Sequence, residues 1–156
     1  MSNPQSQEKT MTDSHRSPLG QAAEEQGIVL TQMLIVSDVE RSVRFYRDVL
    51  GATVVREQAP AMLRFYNGWI VINTGGGPTP DKPEVTLVPP QDQSLVDGFL
   101  NIRVKDIAAI YRDWSSRGAQ FITEPLDNHG AELRCYLRDP DGYLIEVGQT
   151  LAAARG

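Results

Sequence analysis

The chain has 156 residues, 40% of them hydrophobic and 22% charged, with a formal net charge of −5 and a single cysteine. That length suits one domain or two small units sharing a core, and an acidic balance with no basic run argues against nucleic acid or an anionic membrane surface as partner. The lone Cys135 cannot form an internal disulfide, which fits a reducing cytoplasm.

Residues 1–27 are rich in Ser, Gln, Glu and Asp and are expected to form a disordered tail. No apolar core follows a basic start, so the tail does not read as a secretory signal, and no run approaches the ~20 apolar residues that span a bilayer. Residues 29–36 are apolar enough to predict a strand covered on both faces. Ser37 or Asp38 then caps a helix, with Glu40 at capping-box spacing from Ser37. Val39, Val43, Tyr46 and Leu50 fall on one helical stripe, and Gly51 supplies the stop. Strands are expected at 52–56, 61–66 and 69–73, the last two joined by an Asn67-Gly68 hairpin turn. These elements make a first module over 28–74.

Residues 75–97 open on three glycines and continue rich in proline, which predicts a flexible linker whose residues 85–88 touch a sheet edge. The glycines lack the Gly-Lys-Ser/Thr ending of a phosphate loop. A second module over 98–150 follows the same plan. A strand at 99–104 precedes a helix capped by Asp106, with Ile107, Ile110, Tyr111 and Trp114 on its buried stripe and Gly118 at its end. Further strands are expected at 121–123, 131–137 and 143–147, with a tight turn at 138–142. Cys135 sits mid-strand without a flanking His and reads as buried filler rather than a nucleophile.

The two modules are copies. Val36-Ser37-Asp38-Val39, Tyr46-Arg47-Asp48 and Gly51-Ala52 are echoed by Val104-Lys105-Asp106-Ile107, Tyr111-Arg112-Asp113 and Gly118-Ala119. A duplicated unit builds a pseudo-symmetric body with a cleft, so a small-molecule ligand is the expected partner.

The run from Asp38 through Ser42 to Phe45-Tyr46-Arg47-Asp48-Val49-Leu50-Gly51, paired with Asp139-Pro140-Asp141-Gly142-Tyr143 and Ile145-Glu146, resembles the vicinal oxygen chelate superfamily. That superfamily includes glyoxalases, extradiol dioxygenases and bleomycin-resistance proteins. The resemblance implies an α+β fold in which two βαβββ modules form a pseudo-symmetric, cup-shaped, eight-stranded mixed sheet. It implies a homodimer and, in metal-dependent members, a divalent ion such as Mn, Mg, Ni, Zn or Fe. It also implies four ligand positions on the first and last strands of each module. Glu146 fills the last of these. Thr31, with Gln32 beside it, and Phe99 stand where His is usual, and Ile72 or Asn73 stands where Glu is usual. Glu146, Gln32 and Asn73 could therefore supply three oxygens to a weakly held hard cation.

Glu146 is also the residue to which the resemblance assigns proton transfer or metal ligation. A plain alternative is an ion pair with Arg134, Arg103 or Arg64, since a carboxylate in an apolar strand needs a partner. Thr31, Arg64, Phe99, Arg103, His129 and Arg134 are the candidate substrate contacts. For Arg64 and Arg103 the competing reading is a solvated sheet face; for His129, a solvated turn. Two functions follow: a glyoxalase-like enzyme of lyase, isomerase or dioxygenase type with an incomplete metal site, or a metal-free binding or sequestering protein.

Overall fold

A computed structural model describes residues 17–152. A short helix, α1 (Pro18–Gln26), leads into the first module: β1 (Gln32–Val36), α2 (Val39–Arg44) running on as a π-helical turn (Phe45–Val49), β2 (Thr53–Arg56), β3 (Ala61–Phe65) and β4 (Gly68–Thr74). The second module has β5 (Leu100–Arg103), α3 (Ile107–Ser116), β6 (Leu126–Asn128), β7 (Glu132–Arg138) and β8 (Leu144–Thr150). The strands form two four-stranded mixed sheets ordered β1-β4-β3-β2 and β5-β8-β7-β6. In each, the first and last strands pair in parallel and the others are antiparallel. The α+β duplication read from the sequence is present, and the sheets do not close into a barrel.

Four local expectations are corrected. The tail expected over 1–27 is helical over Pro18–Gln26. Ser17 caps it by accepting from Gly20 N at 3.1 Å, Pro18 opens its first turn, and Gly27 closes it at φ 79°. Residues 1–16 lie outside the described residues. The first strand is shorter than 29–36, and Ile28 and Leu30 are 87% and 90% exposed. β1 has a partner only in β4, at the sheet edge, and their ladder starts at Gln32 opposite Ile70 although β4 itself begins at Gly68. In the β3–β4 hairpin Gly68 pairs with Phe65, and Tyr66 takes the left-handed conformation at φ 53°. The tyrosine is held there by its hydroxyl, which donates to Leu50 O at 3.2 Å. Residues 121–123 contribute one bridge, Phe121 to Leu137, and the extra strand comes instead from Leu126–Asn128. A turn with His129 at φ 56° and Gly130 at φ 74° folds this segment back onto β7.

Inward side chains of both sheets and both helices meet in one core. It includes Leu34, Leu63 and Ile72 of the first module and Leu137, Ile145 and Trp114 of the second. Cys135 is buried among them, and burial pushes its thiol pKa up to about 11, which suits filler and not an attacking thiolate.

The 138–142 turn does more than close a hairpin. Ser37 N and Oγ both donate to Asp141 Oδ1, at 2.9 and 2.6 Å. Tyr46 OH donates to Asp139 Oδ2 at 2.9 Å, and Tyr143 OH donates to Ile35 O at 3.0 Å. The repeated motif residues of one module are thus bolted to the last turn of the other. Ser37 is engaged here, and it is Asp38 that caps α2 by accepting from Arg41 N.

These contacts set a pH dependence. Burial alone would raise the pKa of Asp141, but the Ser37 hydrogen bonds, the Arg41 charge and Ser42 outweigh it and hold it below the ordinary carboxylate value. A lowered folded-state pKa stabilises the fold above about pH 4, and that contribution is lost as pH falls through the ordinary value and below. Asp139 runs the other way: burial raises it against the hydrogen bonds it accepts, so its protonation favours the folded state in acid. Urea titrations at pH 5 and 3 should show a smaller acid loss in Asp141→Asn than in wild type. An equal loss in both would remove this role.

Residues 75–97 are less free than their composition suggests. Gly76 and Leu87 exchange backbone hydrogen bonds of 3.0 and 2.9 Å. A Cβ at Gly75 would lie 2.0 Å from Leu87 O and 3.1 Å from Ile35 Cγ2. Gly75 is therefore a close-approach glycine. Gly75→Ala should cost about 1–3 kcal/mol by overpacking, whereas Gly77→Ala, with nothing within 4 Å, should be near neutral in the same denaturation assay.

Candidate functional site

Glu146 lies at the centre of β8, opposite Asn101 on β5 and Tyr136 on β7. It is 5% exposed. Asn101 Nδ2 donates to its Oε1 at 2.7 Å, Tyr136 OH donates to its Oε2 at 2.6 Å, and Arg103 Nη1 stands 3.7 Å from Oε1. Arg103 reaches across because β8 carries Gly148 opposite it: a Cβ there would lie 2.1 Å from Arg103 Nη1. The same guanidinium donates to Glu132 at 2.7 Å and Thr150 Oγ1 at 3.1 Å. The hydrogen bond to Glu146, with burial, raises the Tyr136 phenol above its ordinary pKa and keeps it a donor. Among the pairings expected for Glu146, the contact with Arg103 forms, while Arg134 pairs with Glu132 at 3.6 Å.

Of the candidate substrate contacts, Phe99, Arg103 and Arg134 gather around this network, with the Phe99 ring edge-on to Tyr136 at 6.3 Å. Arg64 is elsewhere, over the Trp69 ring of the first sheet at 4.7 Å. His129 stays in its turn. Thr31 and Gln32 line a cleft described below.

The duplicated register shows what stands in the first module where the second carries Glu146. Five residues before each helix cap, the parallel pairs are Asn101 with Glu146 in the second module and Met33 with Val71 in the first. The symmetry mate of Glu146 is thus Val71. Asn73 pairs further along with Ile35, and its Oδ1 accepts from Thr74 N at 3.0 Å. Gln32 Nε2 donates to Met33 O at 3.1 Å. Among the described residues no group of three or more His, Cys, Asp or Glu could hold a metal ion. Both Glu146 oxygens already hold a neutral donor. The donor set of one chain, as arranged, does not fit a resident divalent ion, which normally takes three or more protein ligands.

A cleft of about 860 Å³ opens between the modules. One wall is the start of β1 with the β3–β4 hairpin; the other is β5 with Ala109, Ile110 and Trp114 of α3. Leu100, Ile102, Ile110 and Phe65 make it apolar, while Gln32, Asn101 and Arg103 add polar groups. Asn101 and Arg103 belong to both features: they line the cleft and hold Glu146. Sequence reasoning missed Asn101 and Tyr136. The signal was the alternation of residues 99–104 and 131–137, which puts one polar side chain on each strand level with Glu146 once the register is known.

The Glyoxalase/Bleomycin resistance protein/Dioxygenase superfamily model matches residues 28–147. A probable lactoylglutathione lyase of Synechocystis is 27% identical over 128 residues, covering 78% of this chain and 95% of that protein. The lactoylglutathione lyase of Salmonella typhimurium is 27% identical over 135 residues, covering 82% and 96%. Among solved structures, a glyoxalase/bleomycin resistance protein/dioxygenase from Nocardioides matches with TM-score 0.65 at 19% identity, over 83% of this chain and 87% of that one. TnmS3, an antibiotic binding protein from Streptomyces, matches with TM-score 0.58 at 21% identity, over 80% and 96%. No helix among the described residues is long and apolar enough to cross a membrane. With three quarters of its length under one family model and its motifs at the seam between two copied modules, the chain belongs to the Glyoxalase/Bleomycin resistance protein/Dioxygenase superfamily.

Proposed function

We propose that this chain is a small-molecule-binding protein of its superfamily that takes its ligand in the cleft between the modules without a resident metal. The observation that carries this is the commitment of Glu146 to Asn101, Tyr136 and Arg103, with Met33 and Val71 at the symmetry-related pair. The cleft supports it, since about 860 Å³ lies within the usual ~300–1,000 Å³ range of ligand pockets and its walls are largely apolar. The test is a thermal-shift screen of aromatic and aliphatic ligands with and without EDTA, beside metal analysis after exposure to Mn²⁺, Ni²⁺ and Zn²⁺. Stabilisation that ignores EDTA, with no retained metal, is the expected result. Shifts seen only with metal overturn it.

A second reading is a glyoxalase-like enzyme, in line with the names of the relatives, in which Glu146 moves a proton. Its support is a carboxylate only 5% exposed in a family-like motif. Loss of a measured lyase activity in Glu146→Gln, with the fold intact, would select it. We also propose a homodimer. β1 and β5 each leave one edge unpaired, and Met33 and Phe99 beside them are 48% and 45% exposed, an edge that a second copy can cover. Light scattering at micromolar concentration decides between one copy and two.

A further inference from the structure

The walls of the cleft are largely apolar, but the charges beside it are unequal. Three charged residues line it: Arg103, Lys105 and Asp106. Arg103 is committed to Glu132 at 2.7 Å and stands 3.7 Å from Glu146. Asp106 caps α3, its carboxylate accepting from Ala109 N at 2.9 Å, so its charge meets the positive end of the helix. Lys105 is exposed, and no hydrogen bond or ion pair reaches its ammonium among the described residues. Beside the opposite wall Arg64 lies over the Trp69 ring at 4.7 Å, and it too has no carboxylate partner among the described residues. A chain with a net charge of −5 thus sets two cations without carboxylate partners around an apolar cleft.

We infer that the cleft takes apolar carboxylates, and that the exposed Lys105 ammonium receives the acid. The inference rests on the cleft being the ligand site proposed above, and it names the ligand class. Leu100, Ile102, Ile110 and Phe65 cover the hydrocarbon body, whose removal from water drives entry. Lys105 is a compact charge on a flexible four-carbon stem, so it follows the acid without needing a fixed geometry. A neutral ligand of the same shape forgoes the charge pair, and a cationic one meets Lys105 with the same sign. Because the ammonium is exposed, the pair is of the surface kind. Its scale is about three- to fivefold in affinity at low salt, fading as ions screen it.

The probes are 1-pyrenebutanoate and 1-pyrenebutanamide, which share one skeleton and differ in charge at neutral pH. Anisotropy of the pyrene fluorescence gives the affinity of each for the full chain. The expected result is about three- to fivefold tighter binding of the acid at about 20 mM salt, shrinking to near equality at about 1 M. Lys105→Met should lose the preference and Lys105→Arg should keep it. Arg112→Met removes an exposed cation of α3 that does not line the cleft, and it should keep the preference as well. Equal affinities at low salt, a preference that survives Lys105→Met, or one that Arg112→Met removes equally overturns the inference. Equal binding of acid and amide, insensitive to EDTA, would overturn it while leaving the proposed binding function in place. Binding of neither probe overturns it too, and the broader ligand screen then decides the binding function by itself.

Discussion

Tyr46→Ala is expected to destabilise the chain by about 3–5 kcal/mol, the largest effect of any single change considered. The ring is fully buried at 0% exposure and meets Phe45 and Phe65 edge-on at 5.3 and 6.2 Å. Its hydroxyl spans the two modules to reach Asp139. Burial, then the nearby Asp139 charge, raises the phenol well above its ordinary pKa, so it remains a donor throughout the neutral range. Tyr46→Phe isolates the polar part: it keeps the packing and removes one hydrogen bond to a buried carboxylate. That should cost about 1–3 kcal/mol. The Asp139 carboxylate still accepts from Asp141 N and Tyr143 N, both at 2.9 Å, which limits the loss. Urea denaturation measures both variants. If Tyr46→Phe matches wild type within experimental error, the hydroxyl contributes nothing to joining the modules.

Glu146→Ala should be the next most damaging, at about 1–3 kcal/mol, because it leaves the half-buried Tyr136 phenol without its acceptor and takes a partner from the exposed Asn101 amide and Arg103 guanidinium. Arg103 is 42% exposed and keeps Glu132, so the loss stays below that of a fully buried pair. Glu146→Gln keeps an acceptor in place and should cost about 1 kcal/mol. Under the binding reading, Glu146→Gln retains EDTA-insensitive stabilisation by ligand within a factor of about three, since the carboxylate braces the β5 wall without touching the cleft. A larger loss of ligand binding in Glu146→Gln, with stability preserved, would place the carboxylate at the ligand.

The motifs that carried the family resemblance turn out to have structural duties. Asp38 and Asp106 cap equivalent helices, and Asp139, Asp141 and Tyr143 fasten the modules together. Such residues identify the fold well and the chemistry poorly, because function resides in side chains on the sheet faces.

Read alone, the sequence determined the duplication, the Asp106 cap, the buried stripes of α2 and α3 and the placing of Glu146 in an apolar strand, all of which are local or periodic patterns; between Ser37 and Asp38 as the cap of α2 only the structure chose. The sequence did not determine β6, since the short segment from Leu126 to Asn128 becomes a strand only by pairing with β7. Nor did it determine that Glu146 meets Asn101, Tyr136 and Arg103 while Val71 occupies the matching place. Both depend on which residues lie level across neighbouring strands. A shift of one residue reverses every side chain, and only the packed sheets fix that choice.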